Sequence, residues 1–280
     1  MPQLPSQKEK PTPIGTNDTL DIQIRDLVFR YRTFPIIKGL NASFDKPELV
    51  SIIGPNGVGK STLIHCINKI LTPNDNAVMI DGRDVNTINV KELARHMGYV
   101  PYTSSNAFPI TVIDAVMLGR HPHAKIGSFD KDLEISYQVL ERLGIEELAM
   151  RHLNELSAGQ LQKVILAKGL AQEPKVLLLD EPTANLDVKH QLGVTRLLKK
   201  ISDEKKMTVV MICHDLNIAA KYSDRIIMMS EGTVYASGTP EEVLTRENIR
   251  KVYDIDCEVI MDQGRPHILL RDDEPQSSDS

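Results

Sequence analysis

Gly54-Pro55-Asn56-Gly57-Val58-Gly59-Lys60-Ser61-Thr62 satisfies the pattern G-x-x-x-x-G-K-[ST]. It follows a short apolar run, LVSIIG (49–54), and opens KSTLIHCINKIL (60–71), whose apolar residues recur at helical spacing. Strand, loop and helix together make this a phosphate-binding loop rather than a glycine-rich turn. Each residue type has a task. The glycines let the backbone wrap closely, so that successive N–H groups face phosphate oxygens. The helix N-terminus places roughly +0.5 of an elementary charge beneath an anion. Lys60 is placed to reach β- and γ-phosphates, and the Ser61 hydroxyl suits Mg2+.

Outward from this loop, VLLLD (176–180) and TVVMIC (208–213) are further continuous apolar runs, as strands covered on both faces require. LDIQIRDLVFRY (20–31) alternates like a half-exposed strand, while LQKVILAKGLA (161–171) and QLGVTRLLKKIS (191–202) carry helical spacing. Strands separated by helices imply an α/β fold with a parallel sheet and crossovers. From about Lys91 to Leu170 the pattern is mainly helical, which reads as a helical subdomain inserted into the α/β core. Residues 1–20 hold four of the sixteen prolines and little apolar periodicity, and residues 271–280 are polar throughout. Both ends read as disordered tails around one folded domain, 21–270.

The chain has 280 residues, 41% of them apolar, and 33 Lys and Arg against 38 Asp and Glu give a net charge of −5. That balance suits a globular domain and argues against a broad electrostatic grip on nucleic acid. Cys66, Cys213 and Cys257 are far apart and lack metal-ligand spacing, which points to a reducing compartment. No apolar stretch reaches the ~18 residues of a membrane span, and the start has no signal-peptide core. A soluble chain is expected.

VLLLDEP (176–182) ends a buried strand in two acids. Position and chemistry suggest Asp180 as a Mg2+ ligand beside Ser61, and Glu181 as general base for an attacking water. Leu156-Ser157-Ala158-Gly159-Gln160 precedes an apolar-striped helix. Ser157 is a good N-cap there, and the small residues leave N–H groups open to an anion. Read alone, this is helix capping. His214 follows TVVMIC, where α/β proteins place ligand contacts; read alone, it is a structural histidine.

In this order the pieces resemble the nucleotide-binding subunit of an ATP-binding cassette (ABC) transporter, over about residues 21 to 265. Gly54 to Thr62 match Walker A, and Asp180 and Glu181 match Walker B and its catalytic glutamate. LSAGQ is similar to the LSGGQ signature, with Ala158 replacing one glycine. Ala184-Asn185-Leu186-Asp187 matches the D-loop and His214 the switch histidine; Tyr31 stands where the family stacks a ring on adenine. The resemblance implies a P-loop ATPase binding ATP and Mg2+, working as a homodimer that closes head to tail. Ser157 and Gly159 of one copy would then contact the γ-phosphate held by Lys60 of the other, with Gln160 and Asp187 as further nucleotide-binding residues. It also implies transmembrane permease subunits, an extracytoplasmic substrate-binding protein, and a peripheral place on the cytoplasmic face of the membrane.

FPITVIDAVMLGRHPH (108–123), ANLDVKHQ (184–191), the stretch 212–244 and DCEVIMDQGRPHIL (256–269) are similar to importers of ferric siderophores, haem or cobalamin. A soluble ABC-type switch is the alternative, but such relatives usually carry two cassettes, coiled coils or zinc modules. A merely nucleotide-sensing subunit conflicts with the retention of Lys60, Asp180, Glu181 and His214.

One position departs from the family. Tyr102 follows Gly98-Tyr99-Val100-Pro101, where the family has a glutamine that helps place Mg2+ and water. A tyrosine cannot copy the amide, so slower hydrolysis is expected, and Tyr102→Gln should raise turnover. The loop from Tyr102 to His123, with Phe108, Pro109, Arg120, His121 and Pro122, reads as an exposed apolar and basic docking surface; the resemblance implies that the permease docks here. The lysines of LLKKISDEKK read as a solvated face, Cys213, Met228 and Met229 as core, and PEEVLTRENIRKVY (240–253) as one amphipathic helix.

Overall fold

The computed structural model describes residues 13–102, 109–184 and 186–271. Its strands are β1 (Ile22–Tyr31), β2 (Phe34–Phe44), β3 (Leu49–Ile53), β4 (Val78–Ile80), β5 (Arg83–Asp84), β6 (Met97–Val100), β7 (Val176–Leu179), β8 (Thr208–Ile212), β9 (Arg225–Ser230), β10 (Thr233–Gly238), β11 (Cys257–Asp262) and β12 (Arg265–Leu270). Its helices are α1 (Lys60–Ile67), α2 (Val90–Ala94), α3 (Val112–Met117), α4 (Phe129–Leu143), α5 (Ala158–Ala171), α6 (Val188–Lys205), α7 (Leu216–Tyr222), α8 (Pro240–Val243) and α9 (Arg246–Tyr253).

The central sheet runs β10-β9-β3-β8-β7-β6, parallel except for β10. Every residue of β3, β7 and β8 is buried, as their uninterrupted apolar runs demand. Alternation divides these strands between two cores. Val50, Ile52, Val210 and Ile212 pack with Leu63 and Ile64 of α1 against a second, antiparallel sheet, β2-β1-β4-β5. Leu49, Ile53, Val209 and Met211 face the helices on the other side, through Val164, Leu198 and Ile218. Each such fully buried Leu or Ile is worth about 1.5–3 kcal/mol. The polar exception on β3, Ser51, accepts a hydrogen bond from the Ser223 hydroxyl at 2.7 Å.

Register positions the site. Ile52 pairs with Ile212, Ile53 with Met228, and Leu179 with Met211. The carboxyl ends of β3, β7 and β8 therefore lie side by side, delivering Gly54, Asp180 and His214 to one edge of the sheet, where α/β folds place ligands.

Several boundaries differ from those read in the sequence. Ile14 (3% exposed) and Leu20 (0%) belong to the core, so packed chain begins within the expected tail. β6 lies inside the stretch expected to be helical and pairs with β7; the pattern of four residues between helical segments is too short to show it. Residues 240–253 form two helices instead of one. Thr239 caps α8 and Thr245 caps α9, and Leu244 between them leaves helical geometry at φ −87°, ψ 63°. Lys199 is not simply solvated, since it bridges Asp203 and Asp224 at 2.7 and 2.8 Å.

The largest correction concerns the expected docking loop. Phe108 lies outside the described residues, and Arg120 is only 5% exposed. Its Nε donates to Asp132 Oδ1 at 2.9 Å, and Nη1 donates to the Ala171 carbonyl at 2.6 Å and Glu173 Oε2 at 2.8 Å. Arg120 thus ties the turn after α3 to α4 and to the end of α5. A hydrogen bond from the Ser128 hydroxyl, then Arg120 itself, hold the Asp132 carboxyl below its usual range against the opposing effect of burial. Arg120→Met strands Asp132 without its cation and should cost about 3–5 kcal/mol in urea unfolding. A carboxyl depressed in the folded state contributes stability in full above its unfolded value, about pH 4. That contribution disappears as pH falls through the folded value. Asp132→Asn should flatten that acid limb; an unchanged unfolding curve for Arg120→Met would return the arginine to a surface role.

Candidate active site

β3 ends in a turn that only glycine fits. Gly54 has φ +144°, and a Cβ there would meet the Met229 carbonyl oxygen at 2.3 Å. Gly59, at φ +102°, caps α1 in the left-handed region. Lys60 folds back over the loop, its Nζ donating to the carbonyls of Gly54 at 2.7 Å and Pro55 at 2.8 Å. Burial lowers its pKa, while Glu181 and Asp180 oppose the shift. Burial pushes the pKa of the Tyr253 hydroxyl on α9 up, with the Gly54 backbone opposing.

Ser61 Oγ donates to Asp180 Oδ1 at 2.9 Å. Burial raises the Asp180 pKa, and the Ser61 hydrogen bond, His65 and Lys60 work against it. Two hard oxygen donors, one of them a carboxylate, suit Mg2+, which takes one or two protein ligands and fills its shell with water and phosphate oxygens. Next along the chain, Glu181 sits in the left-handed region at φ 50°, with Oε1 2.7 Å from His214 Nε2. Burial pushes the thiols of Cys66 and Cys213 up to about 12, which fits them as packing residues rather than nucleophiles. Tyr31 is 47% exposed and touches Phe29 edge-on, its ring centroid 5.1 Å away.

The signature residues form a second group. Ser157 Oγ accepts from the Gln160 amide at 3.3 Å and Gln160 Oε1 accepts from the Ser157 amide at 3.0 Å, a capping box that starts α5. Asp187 caps α6 through the His190 amide and also holds the His190 ring, Nδ1 lying 2.8 Å from the carboxylate. The backbone and then the ring of His190 keep the Asp187 pKa low. His190 closes on the signature: a Cβ on Gly159 would lie 2.7 Å from its Cδ2. Asn185 lies outside the described residues.

The fold therefore brings Gly54 to Thr62, Asp180, Glu181 and His214 to one edge, and gathers Ser157, Gly159, Gln160 and Asp187 at the starts of α5 and α6. Sequence reasoning missed His65, Tyr99, His190 and Tyr253. Only His190 carried a local signal, standing three residues after Asp187 on one helix face.

The ABC transporter family model matches residues 37–184, from β2 through the phosphate loop to Ala184. The chain belongs to the ABC transporter family. An uncharacterised ABC transporter ATP-binding protein of Methanocaldococcus jannaschii is 44% identical over 248 residues, 89% of this chain and 97% of its own. The iron(3+)-hydroxamate import ATP-binding protein of Bacillus subtilis is 38% identical over 229 residues, 81% of this chain and 85% of its own. A bacterial ABC transporter cassette solved as a dimer is 30% identical with a TM-score of 0.69, covering 78% of this chain and 98% of that one. This ABC subunit is an ATP-hydrolysing enzyme with a P-loop core. Among its described residues, no helix is long and apolar enough to cross a membrane.

The packing of Gly159 on His190 yields a test within this ABC subunit. Gly159→Ala must displace the imidazole, and, if this cassette dimerises as the solved relative does, should lower dimer formation in ATP about tenfold, the equivalent of about 1.4 kcal/mol. His190→Ala opens space for the methyl group, so the double variant should recover most of the loss in sedimentation. Recovery identifies the clash as the cause; no recovery would mean that the glycine is needed for the ligand.

Proposed function

We propose that this ABC ATPase energises uptake of a metal chelate (a ferric siderophore, haem or cobalamin) from the cytoplasmic face of the membrane. Two copies work beneath a pair of permease subunits, and an extracytoplasmic binding protein delivers the cargo. One observation carries the dimer: Ser61 bonds Asp180 and Glu181 meets His214, while the polar contacts of Ser157, Gln160 and Asp187 lie within the signature group. Head-to-tail pairing sets Ser157, Gly159 and Gln160 of one copy, with Asp187 nearby, against the γ-phosphate held by Lys60 of the other. The chelate class rests on the likeness to the hydroxamate-import relative and on the stretches in 108–123, 212–244 and 256–269. Transport is favoured over a soluble switch because relatives at 38–44% identity are named as transporter subunits.

The residues divide the chemistry among them. Lys60 exchanges two backbone carbonyls for β- and γ-phosphate oxygens, and the loop amides and the start of α1 complete the anion cradle. Tyr31 offers its exposed ring to adenine. Ser61 and Asp180 would hold Mg2+, which would supply charge neutralisation at the phosphates. Glu181 takes the proton of the attacking water, while His214, 2.7 Å away, steadies the γ-phosphate. Loss of that phosphate weakens the contacts that hold the dimer shut, which couples hydrolysis to opening.

The test is to tag the C-terminus, solubilise membranes gently and identify what copurifies. A permease with many transmembrane helices, and a chelate on its binding protein, are expected. A chain recovered alone from the soluble fraction, or with nucleic-acid factors, overturns the transport reading and leaves the ATPase chemistry standing.

A further inference from the structure

Asp180 is held by more than Ser61. Ser61 and His65 are four residues apart on α1 and so share one helix face, and that face lies against Asp180. Ser61 Oγ takes Oδ1 at 2.9 Å. On the other side, His65 Nε2 stands 3.8 Å from Oδ2. The imidazole is itself fixed, because Nε2 shares a hydrogen bond of 2.9 Å with the Tyr99 hydroxyl and the two rings meet edge to face with centroids 5.7 Å apart.

Tyr99 sits on β6 opposite Leu178 of β7, two residues before Asp180. Burial, then the charge of Asp180, push its hydroxyl up to about 12, so it keeps its proton at neutral pH. Three elements thus meet at one carboxylate: the helix that follows the phosphate loop, the strand that leads into Asp180, and, through His65, the strand that runs on toward Tyr102. A wholly packing role would not require an imidazole edge beside the buried Asp180 carboxylate, held in place by a tyrosine hydroxyl.

We infer that His65 and Tyr99 are positioning residues that fix the Asp180 carboxylate in the orientation its divalent cation requires. The inference rests on the reading of Asp180 and Ser61 as cation ligands. Physically, the Tyr99 hydroxyl locks the His65 ring, and the ring edge stops Oδ2 from swinging away from the phosphate loop. The carboxylate then meets the cation with little reorganisation. Such outer partners of a ligating carboxylate are typically worth 10- to 100-fold in metal affinity. The link also joins the cation site to the strand leading into Tyr102, where the family's glutamine is absent, so orientation of the ligand here relies on residues upstream of that loop.

Calorimetry on the full chain tests this directly. ADP affinity is measured in chelator and at rising Mg2+, and the ratio of the two affinities gives the coupling between nucleotide and metal. His65→Ala should leave ADP binding in chelator unchanged and cut the coupling about 10- to 100-fold. Tyr99→Phe, which keeps the ring and its packing, should cut it several-fold. His65→Gln, which returns a nitrogen near the place of Nε2, should restore most of it. Asp180→Asn, the reference variant, should abolish the coupling. If Asp180→Asn does so while His65→Ala and Tyr99→Phe keep the full coupling, the pair only packs α1 on β6 and the inference falls. If Asp180→Asn keeps the coupling, the cation-ligand reading falls, and the inference with it.

Discussion

Glu181→Gln should bind ATP, hold the ATP-bound dimer together and hydrolyse about 10²- to 10⁴-fold more slowly, the usual worth of a positioned general base. The side chain hangs from a backbone in the left-handed region at φ 50°, a conformation that costs a residue with a side chain roughly 1–3 kcal/mol. Such strain persists only where the surroundings impose it. Here β7 is locked between β6 and β8, and the next residues turn toward α6, so the chain reverses at Glu181 and presents its carboxylate beside the phosphate loop. Glutamine keeps the length and can still pair with His214 Nε2, now 2.7 Å from Oε1. What it cannot do is accept a proton from water. The substitution therefore separates proton transfer from geometry. Single-turnover hydrolysis and sizing in ATP check it together: a slow, dimeric variant supports the role of base, and a fully active one removes it.

Much of this machinery was legible because it is local. The phosphate loop needs only a strand, nine residues and a helix; β3 and the start of α1 stand where they were read, while α1 ends at Ile67 instead of Leu71. Asp180 and Glu181 follow a short continuous apolar run of the kind that strands covered on both faces carry. What escaped depends on distant partners. The RHPH segment reads as exposed and basic, yet Arg120 is buried because Asp132, Ala171 and Glu173, up to 53 residues away, supply its acceptors. Nothing near His65 announces Tyr99, 34 residues on, and nothing near Tyr253 announces the backbone of Gly54. Ile14 was lost beside prolines, since a single apolar residue six positions before the strand pattern makes no pattern until the core forms around it.

Lys60→Ala should weaken ATP binding about 10²- to 10⁴-fold and ADP binding only about 10- to 100-fold. Charge-assisted hydrogen bonds are worth about 1.5–3 kcal/mol each, and about 1.4 kcal/mol is a factor of ten; ATP loses two such contacts and ADP one. The ammonium bridges the Gly54 and Pro55 carbonyls at 2.7 and 2.8 Å, so it also braces the loop. If bracing were its whole contribution, the two nucleotides would lose affinity equally. The difference between them, measured by calorimetry without Mg2+, therefore isolates the γ-phosphate contact. Lys60→Arg should not rescue it. Lys60 is only 6% exposed, and its surroundings hold a compact point charge, which the planar guanidinium cannot imitate. Equal losses for ATP and ADP would reduce Lys60 to a structural clamp and move recognition of the γ-phosphate to the loop amides and His214.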